Sequence, residues 1–200
     1  MIASTLRITF SLLLHSLPGV TCQYLNLPDV PPGVFTVGTS LEIASNKSAA
    51  WAALTNFPDY ADWNPFVRAA IVTTPNNLSL PNQYPVETAN LYLRTQTPPL
   101  PLPVNRYTLE NPLNVNFAYE DITHVQPDLG RLAWKYIGDE ESLAAERWQG
   151  VLDLENGKVL YESREVFHGT LAEVLKDLLG EGLQAGFEAQ AQGLKLWLER

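Results

Sequence analysis

Lys158-Val-Leu-Tyr-Glu-Ser-Arg-Glu-Val-Phe-His168, then Gly169, then Thr170-Leu-Ala-Glu-Val-Leu-Lys-Asp-Leu-Leu-Gly-Glu-Gly-Leu-Gln-Ala-Gly-Phe-Glu-Ala-Gln-Ala-Gln-Gly-Leu-Lys-Leu-Trp-Leu-Glu-Arg200 decides the fold. The first stretch alternates. Val159, Tyr161, Ser163, Glu165 and Phe167 share one face; Leu160, Glu162, Arg164, Val166 and His168 share the other. That period of two is a strand. In the second stretch Leu171, Val174, Leu175, Leu178, Leu179, Leu183, Phe187, Leu194 and Leu198 recur at spacings of three and four, which predicts one long helix over 170–200. Gly180, Gly182 and Gly186 fall near its middle and mark a kink or a close approach to the sheet or a ligand.

Upstream, the chain reads almost entirely as strands. Phe35–Ile43 alternates and predicts a first strand. Asn46 is a good N-cap for a short helix over 47–55, and Pro58 and Pro65 bracket a second, shorter one. Further strands are predicted at 67–74, 86–96, 104–110, 115–125, 129–138, 142–154 and 158–168, with Asn156-Gly157 as a strong hairpin turn. The run Thr97-Pro-Pro-Leu-Pro-Leu-Pro103 is extended and excluded from a central strand. Antiparallel strands joined by hairpins place their apolar residues on one face. The C-terminal helix is the only large apolar element left to cover that face. The expected architecture is therefore α+β: a curved antiparallel sheet of about six to seven strands wrapped over a long C-terminal helix, with two short helices after the first strand.

Two hundred residues suffice for one domain with a short leader. A net charge of −9 argues against nucleic acid, which is bound by neutralising phosphates, and against anionic membranes. It also serves solubility. The N-terminus carries one positive charge, an apolar run Ile8–Leu17 and Pro18-Gly19 before small residues, the pattern of a secretory signal peptide over 1–22. That run is shorter than the roughly 20 residues an integral membrane span needs. The alternative is a cytoplasmic protein with an apolar N-terminal segment. Residues 23–33, rich in proline, read as a stiff linker, and 34–200 as the ligand-binding domain. The single cysteine, Cys22, and the scattered His15, His124 and His168 give no zinc spacing, so no metal is expected.

Three segments carry a family resemblance: Pro58-Asp-Tyr-Ala-Asp-Trp-Asn-Pro-Phe66, Tyr161-Glu-Ser-Arg-Glu-Val-Phe-His-Gly169, and Gly186-Phe187 through Leu194-Lys195. In that order they resemble the SRPBCC or helix-grip superfamily, which includes START-like, Bet v 1-type, polyketide cyclase/dehydrase and coenzyme Q-binding members. The resemblance covers residues 34–200. It implies an apolar small-molecule ligand held between sheet and helix, no cofactor, and a monomer or weak dimer. The superfamily hosts both enzymes and carriers, so fold alone does not choose between them.

The candidate site follows from which faces turn inward. Val159, Tyr161, Ser163, Glu165 and Phe167 are the more apolar set and are expected inside. Glu165 then reads as a general acid or base raised by burial, or as a carboxylate paired with Arg147 or Arg94. Tyr161 accompanies it. Asp121 shares a face with Val115, Phe117, Tyr119 and Thr123, and reads as a second inward acid or as a strand-end residue bonded to a turn. Trp134 and Tyr136, with Trp148 on the next strand, are expected to form an aromatic wall. Trp63, Asn64, Tyr92, Arg94, Arg147 and Phe187 complete the expected ligand contacts. Nothing resembles a nucleophile elbow or a phosphate loop. The function expected from these residues and the resemblance is polyketide cyclase/dehydrase-like chemistry on an apolar biosynthetic intermediate, by substrate folding and proton transfer. The alternative is a non-catalytic carrier of a lipid, sterol or quinone.

Overall fold

A computed structural model describes residues 24–200. The predicted signal peptide and Cys22 lie outside the described residues. Seven strands form one antiparallel sheet: β1 (Phe35–Ile43), β2 (Val67–Thr73), β3 (Asn90–Gln96), β4 (Val115–Gln126), β5 (Arg131–Tyr136), β6 (Ala144–Asp153) and β7 (Val159–His168). Their spatial order is β1-β7-β6-β5-β4-β3-β2. Helix α1 (Lys47–Thr55) and the single turn α2 (Tyr60–Trp63) follow β1, and α3 (Ala172–Leu198) closes the chain. This is the α+β, helix-grip arrangement the sequence predicts.

Local chemistry sets the boundaries. The Asn46 side chain accepts a hydrogen bond from the Ala49 amide at 2.8 Å, capping α1. Asn64 is fully buried after α2, and its Oδ1 accepts from the amides of Phe66 and Val67 at 3.0 and 2.9 Å, turning the chain into β2. Two strand predictions are corrected. Strand β3 begins at Asn90 rather than Val86, because Thr88 has φ +69°, which an extended strand does not admit. No strand forms over 104–110, where the chain runs in turns. There the side chain of Arg68 donates to the Asn105 carbonyl at 2.8 Å, and Arg94 pairs with Glu110 at 2.8 Å.

Helix α3 lies under the inner face. The glycine cluster splits by function. A methyl at Gly182 would meet Thr97 at 2.8 Å, and one at Gly186 would press into the Phe66 ring. Gly180 would touch only Lys176 of its own helix. The helix also serves the edge strand β1. Gln184 donates to the Gly38 carbonyl at 2.9 Å and accepts from its amide at 3.0 Å. Lys195 donates to the Glu42 carbonyl, and Glu199 accepts from the Ala44 amide. These bonds occupy edge groups that would otherwise template another strand.

The outer face of β5–β7 is covered as well. Residues 24–30 run across it as a strap. Glu162 accepts the amides of Leu25 and Asn26 at 2.8 and 2.7 Å, and Arg164 donates to the Pro28 carbonyl at 2.6 Å. Leu27 packs with Ala133 and Trp148. This strap is why Glu162 and Arg164, on the nominally solvent side of β7, are buried. No helix among the described residues is long and apolar enough to cross a membrane.

Candidate functional site

The sheet's curvature leaves a cavity of about 250 Å³ between its inner face and the first half of α3. Its walls are largely apolar and include Phe66, Leu93, Trp134, Tyr136, Phe167 and Leu175. Three charged side chains open into it: Glu120, Arg147 and Glu165.

Strand register explains how they meet. Trp134 on β5 stands opposite Arg147 on β6, and Arg147 opposite Glu165 on β7. The three form one row across the inner face. One step along, Gln149 stands opposite Ser163. Glu120 comes from β4, where Glu120 and Ile122 are buried and Phe117 and Tyr119 are exposed.

Arg147 is held from several sides. Its Nε donates to Ser163 Oγ at 3.2 Å and its Nη2 to Gln190 Oε1 at 3.1 Å. Gln190 donates to Gln149 Oε1 at 2.8 Å and to the Tyr161 hydroxyl at 3.0 Å; Tyr161 donates to Gln149 at 2.7 Å. The guanidinium carbon lies 4.0 Å from the centre of the Phe187 ring, 5.6 Å from Trp134 and 5.7 Å from Phe66. Cation–π contact and hydrogen bonding to neutral groups thus keep a buried charge in place without a direct carboxylate partner.

The two acids feel this environment differently. Burial pushes the Glu165 carboxyl up to about 7, with Arg147 opposing the rise. Glu120 is raised well above the usual carboxylate range, first by burial and then by the Glu165 charge, again opposed by Arg147. Glu165 thus titrates near neutrality while Glu120 beside it is pushed toward its protonated form, an arrangement that separates an acid from a base.

The expected site residues divide accordingly. Glu165, Arg147, Trp134 and Tyr136 line the cavity together. Phe187 lies directly beneath Arg147. Tyr161 turns inward but is fully buried, and its hydroxyl is engaged by Gln149 and Gln190 rather than open to the cavity. Asp121 is corrected: it occupies the opposite face of β4 from Glu120, on the side of the exposed Tyr119. Tyr92 and Arg94 also face outward. Tyr92 packs on Phe117 and Tyr119, with ring centres 5.6 and 4.8 Å apart, and Arg94 binds Glu110. Trp148 points to the strap and packs against His124, ring centres 4.7 Å apart and tilted by 35°. Trp63 and Asn64 are buried in the core between α2 and β2 and do not reach the cavity.

Sequence reasoning missed Glu120, Gln149 and Gln190. On β4 both alternating sets contain an acid, and the aromatic set reads as the inward one; its rings instead pack on Tyr92 on the outside, Phe117 stacked and Tyr119 edge-on. Gln190 carried a readable signal. It falls on the apolar stripe between Phe187 and Leu194, and a polar residue there must find a partner inside.

No protein-family model matches the chain, and no curated protein matches it. Solved structures do. A hypothetical protein of Helicobacter pylori aligns at TM-score 0.65 with 13% identity, covering 89% of this chain and 99% of that one. A START superfamily protein of Mycobacterium smegmatis aligns at 0.53 with 14% identity over 82% and 97%. A norcoclaurine synthase point mutant of Thalictrum, in complex with a transition-state analogue, aligns at 0.52 with 11% identity over 86% and 100%. These likenesses establish the helix-grip fold that START-like and Bet v 1-type proteins share.

Proposed function

We propose that the chain is an enzyme that folds a small, mainly apolar biosynthetic intermediate inside this cavity and moves protons on it, as a cyclase, dehydratase or isomerase, with Glu165 as the proton-exchanging group. The observation that carries this reading is Glu165 itself: a cavity-lining carboxyl raised to about 7, facing Arg147 across the strand pair and without a hydrogen bond among the described residues that would fix its state. A general base works best when it titrates near the operating pH. That one of the similar solved structures is a synthase agrees with this reading. The cavity's 250 Å³ lies just under the about 300–1,000 Å³ of drug-sized ligand sites, which favours a compact intermediate over a sterol or a long-tailed quinone.

One observation favours a carrier instead. Leu171, Val174 and Leu178 are exposed on the solvent side of the same helical turns whose Leu175 and Leu179 line the cavity. An exposed apolar strip on the helix that closes the cavity suits contact with a lipid surface.

Native mass spectrometry on protein purified from its own host, repeated after incubation with host extract, separates the two. Conversion by the wild type, with Glu165→Gln binding the same compound unchanged, supports the enzyme. Recovery of one identical, unaltered lipid from both proteins overturns it in favour of the carrier.

A further inference from the structure

Among the described residues Glu120 makes no hydrogen bond or ion pair. The residue is 5% exposed, its Oε2 is buried without a hydrogen bond, and no cation lies within ion-pair distance. A carboxyl so placed retains its proton, because ionising it in an apolar wall without a paired cation is costly. It is then a hydrogen-bond donor at the cavity wall that makes no hydrogen bond among the described residues. Arg147 presents a second donor. Nε and Nη2 are committed to Ser163, Gln149 and Gln190, while Nη1 makes no hydrogen bond. Both residues open onto the same cavity. Two donors facing a largely apolar cavity call for a ligand that supplies their acceptor.

We propose that Glu120 and Arg147 together bind one ligand oxygen that carries or acquires negative charge, so that the substrate is an enolisable ketone or a phenolic compound. This deepens the reading of the same cavity as a proton-transfer site. The other ligand classes fit poorly. A pure hydrocarbon leaves both donors unpaired, an ammonium ion meets the Arg147 charge, and a carboxylate adds a permanent negative charge beside Glu165. A carboxylic acid held neutral in an apolar site so that it can donate to an oxyanion is a known catalytic device.

The chemistry balances without another reagent. The Glu165 carboxylate takes a proton from the carbon next to the carbonyl. The C–H electron pair becomes the new C=C bond, and the carbonyl π pair moves onto oxygen. That oxygen is held by Arg147 and by the Glu120 hydroxyl, or takes the Glu120 proton to give a neutral enol and a Glu120 carboxylate. Reprotonation at carbon by Glu165 and return of the enol proton to Glu120 restore both residues; if the carbon instead attacks a second carbonyl of the substrate, Glu165 gives its proton to the alkoxide oxygen so formed and Glu120 regains its own from the enol. Tyr161 and Gln190 face Arg147 from β7 and α3 and hold it in position.

The probe is 4-nitrophenol, compact enough for the cavity, whose ionised form is yellow. Its absorbance is titrated against pH, free and bound, with the wild type and with Glu165→Gln, which removes the neighbouring charge. The bound probe is expected to ionise at least about one pH unit lower than the free probe, equivalent to about tenfold tighter binding of the phenolate. Glu120→Leu and Arg147→Met are each expected to remove most of that shift, and Glu120→Gln, which keeps a donor, to retain part of it. Thermal melts confirm that each variant folds. A bound midpoint at or above the free value, no binding at all, or a shift that survives Glu120→Leu overturns the proposal. The enzyme reading is tested separately: a shift that holds in a protein that converts nothing removes the enzyme and leaves the oxyanion site standing.

Discussion

Arg147 and Glu165 stand directly opposite each other on β6 and β7, inside the protein, and no hydrogen bond or ion pair joins them. A tight pair would hold Glu165 ionised and inert. Instead Arg147 rests against Phe187 and bonds to Ser163 and Gln190, and Glu165 is left to exchange its proton near neutrality.

The first consequence is a pH-dependent stability of definite sign. Folded Glu165 titrates near 7 against an ordinary value of 4.5, so between those values the folded protein binds more protons than the unfolded chain. Stability therefore falls as pH rises through that window, and Glu120, raised in the same direction, adds to the fall. Asp62, held low chiefly by the Arg106 hydrogen bond, and Asp139, held low chiefly by Ser142, act only below it. Melting temperature is expected to drop between about pH 5 and pH 8 in the wild type, and to drop less in Glu165→Gln. A curve that rises over this range contradicts the assignment.

Arg147→Met removes the one cation that opposes the rise of both acids. The two carboxyls are then expected to titrate higher than in the wild type. Carboxyl-carbon NMR of labelled glutamate reads this directly. An unchanged Glu165 midpoint would show that Arg147 does not set it.

The glycines of α3 separate packing from propensity. At Gly193 a methyl would strike the Trp63 carbonyl, and at Gly186 the buried Phe66 ring. Alanine at either is expected to destabilise by about 1–3 kcal/mol through overpacking. At Gly180 the space is open apart from Lys176, and alanine is expected to gain up to about 1 kcal/mol from helix propensity. Chemical denaturation of the three variants checks the order.

The strap is expected to be part of the folded unit. Glu162 is 1% exposed and accepts two backbone amides, so Glu162→Ala strands both donors and should cost about 1–3 kcal/mol. Limited proteolysis within 24–33 should accelerate in that variant and not in Lys158→Ala, whose partner Glu42 lies in an exposed pair.

These details mark where the sequence was legible. The period-two stretch ending at His168 and the helical stretch after it were enough for the architecture, because a sheet face and an amphipathic helix each need a cover. The inward face of β7 was legible because its two sets differ in polarity. The faces of β3, β4 and β6 were not. The outer side of this sheet is also apolar, under the strap at Trp148 and in the ring cluster of Tyr92, Phe117 and Tyr119, so hydrophobicity did not tell inside from outside. A bulge between Ile122 and His124 further breaks the alternation of β4. The alternation alone therefore points to Asp121 rather than its neighbour Glu120. Arg147 was legible only as a partner for Glu165; its support by Phe187, Gln149 and Gln190 depends on helix position, which no local pattern encodes.

The central claim is that the cavity holds an exchangeable proton on Glu165 beside a retained one on Glu120. Carboxyl-carbon NMR titration of the wild-type protein tests it most directly, with each signal assigned by Glu165→Gln and Glu120→Gln. The account requires the Glu165 signal to move with a midpoint near 7 and the Glu120 signal to remain that of a protonated acid through neutral pH. Both signals titrating in the ordinary carboxylate range, near 4.5, would contradict it.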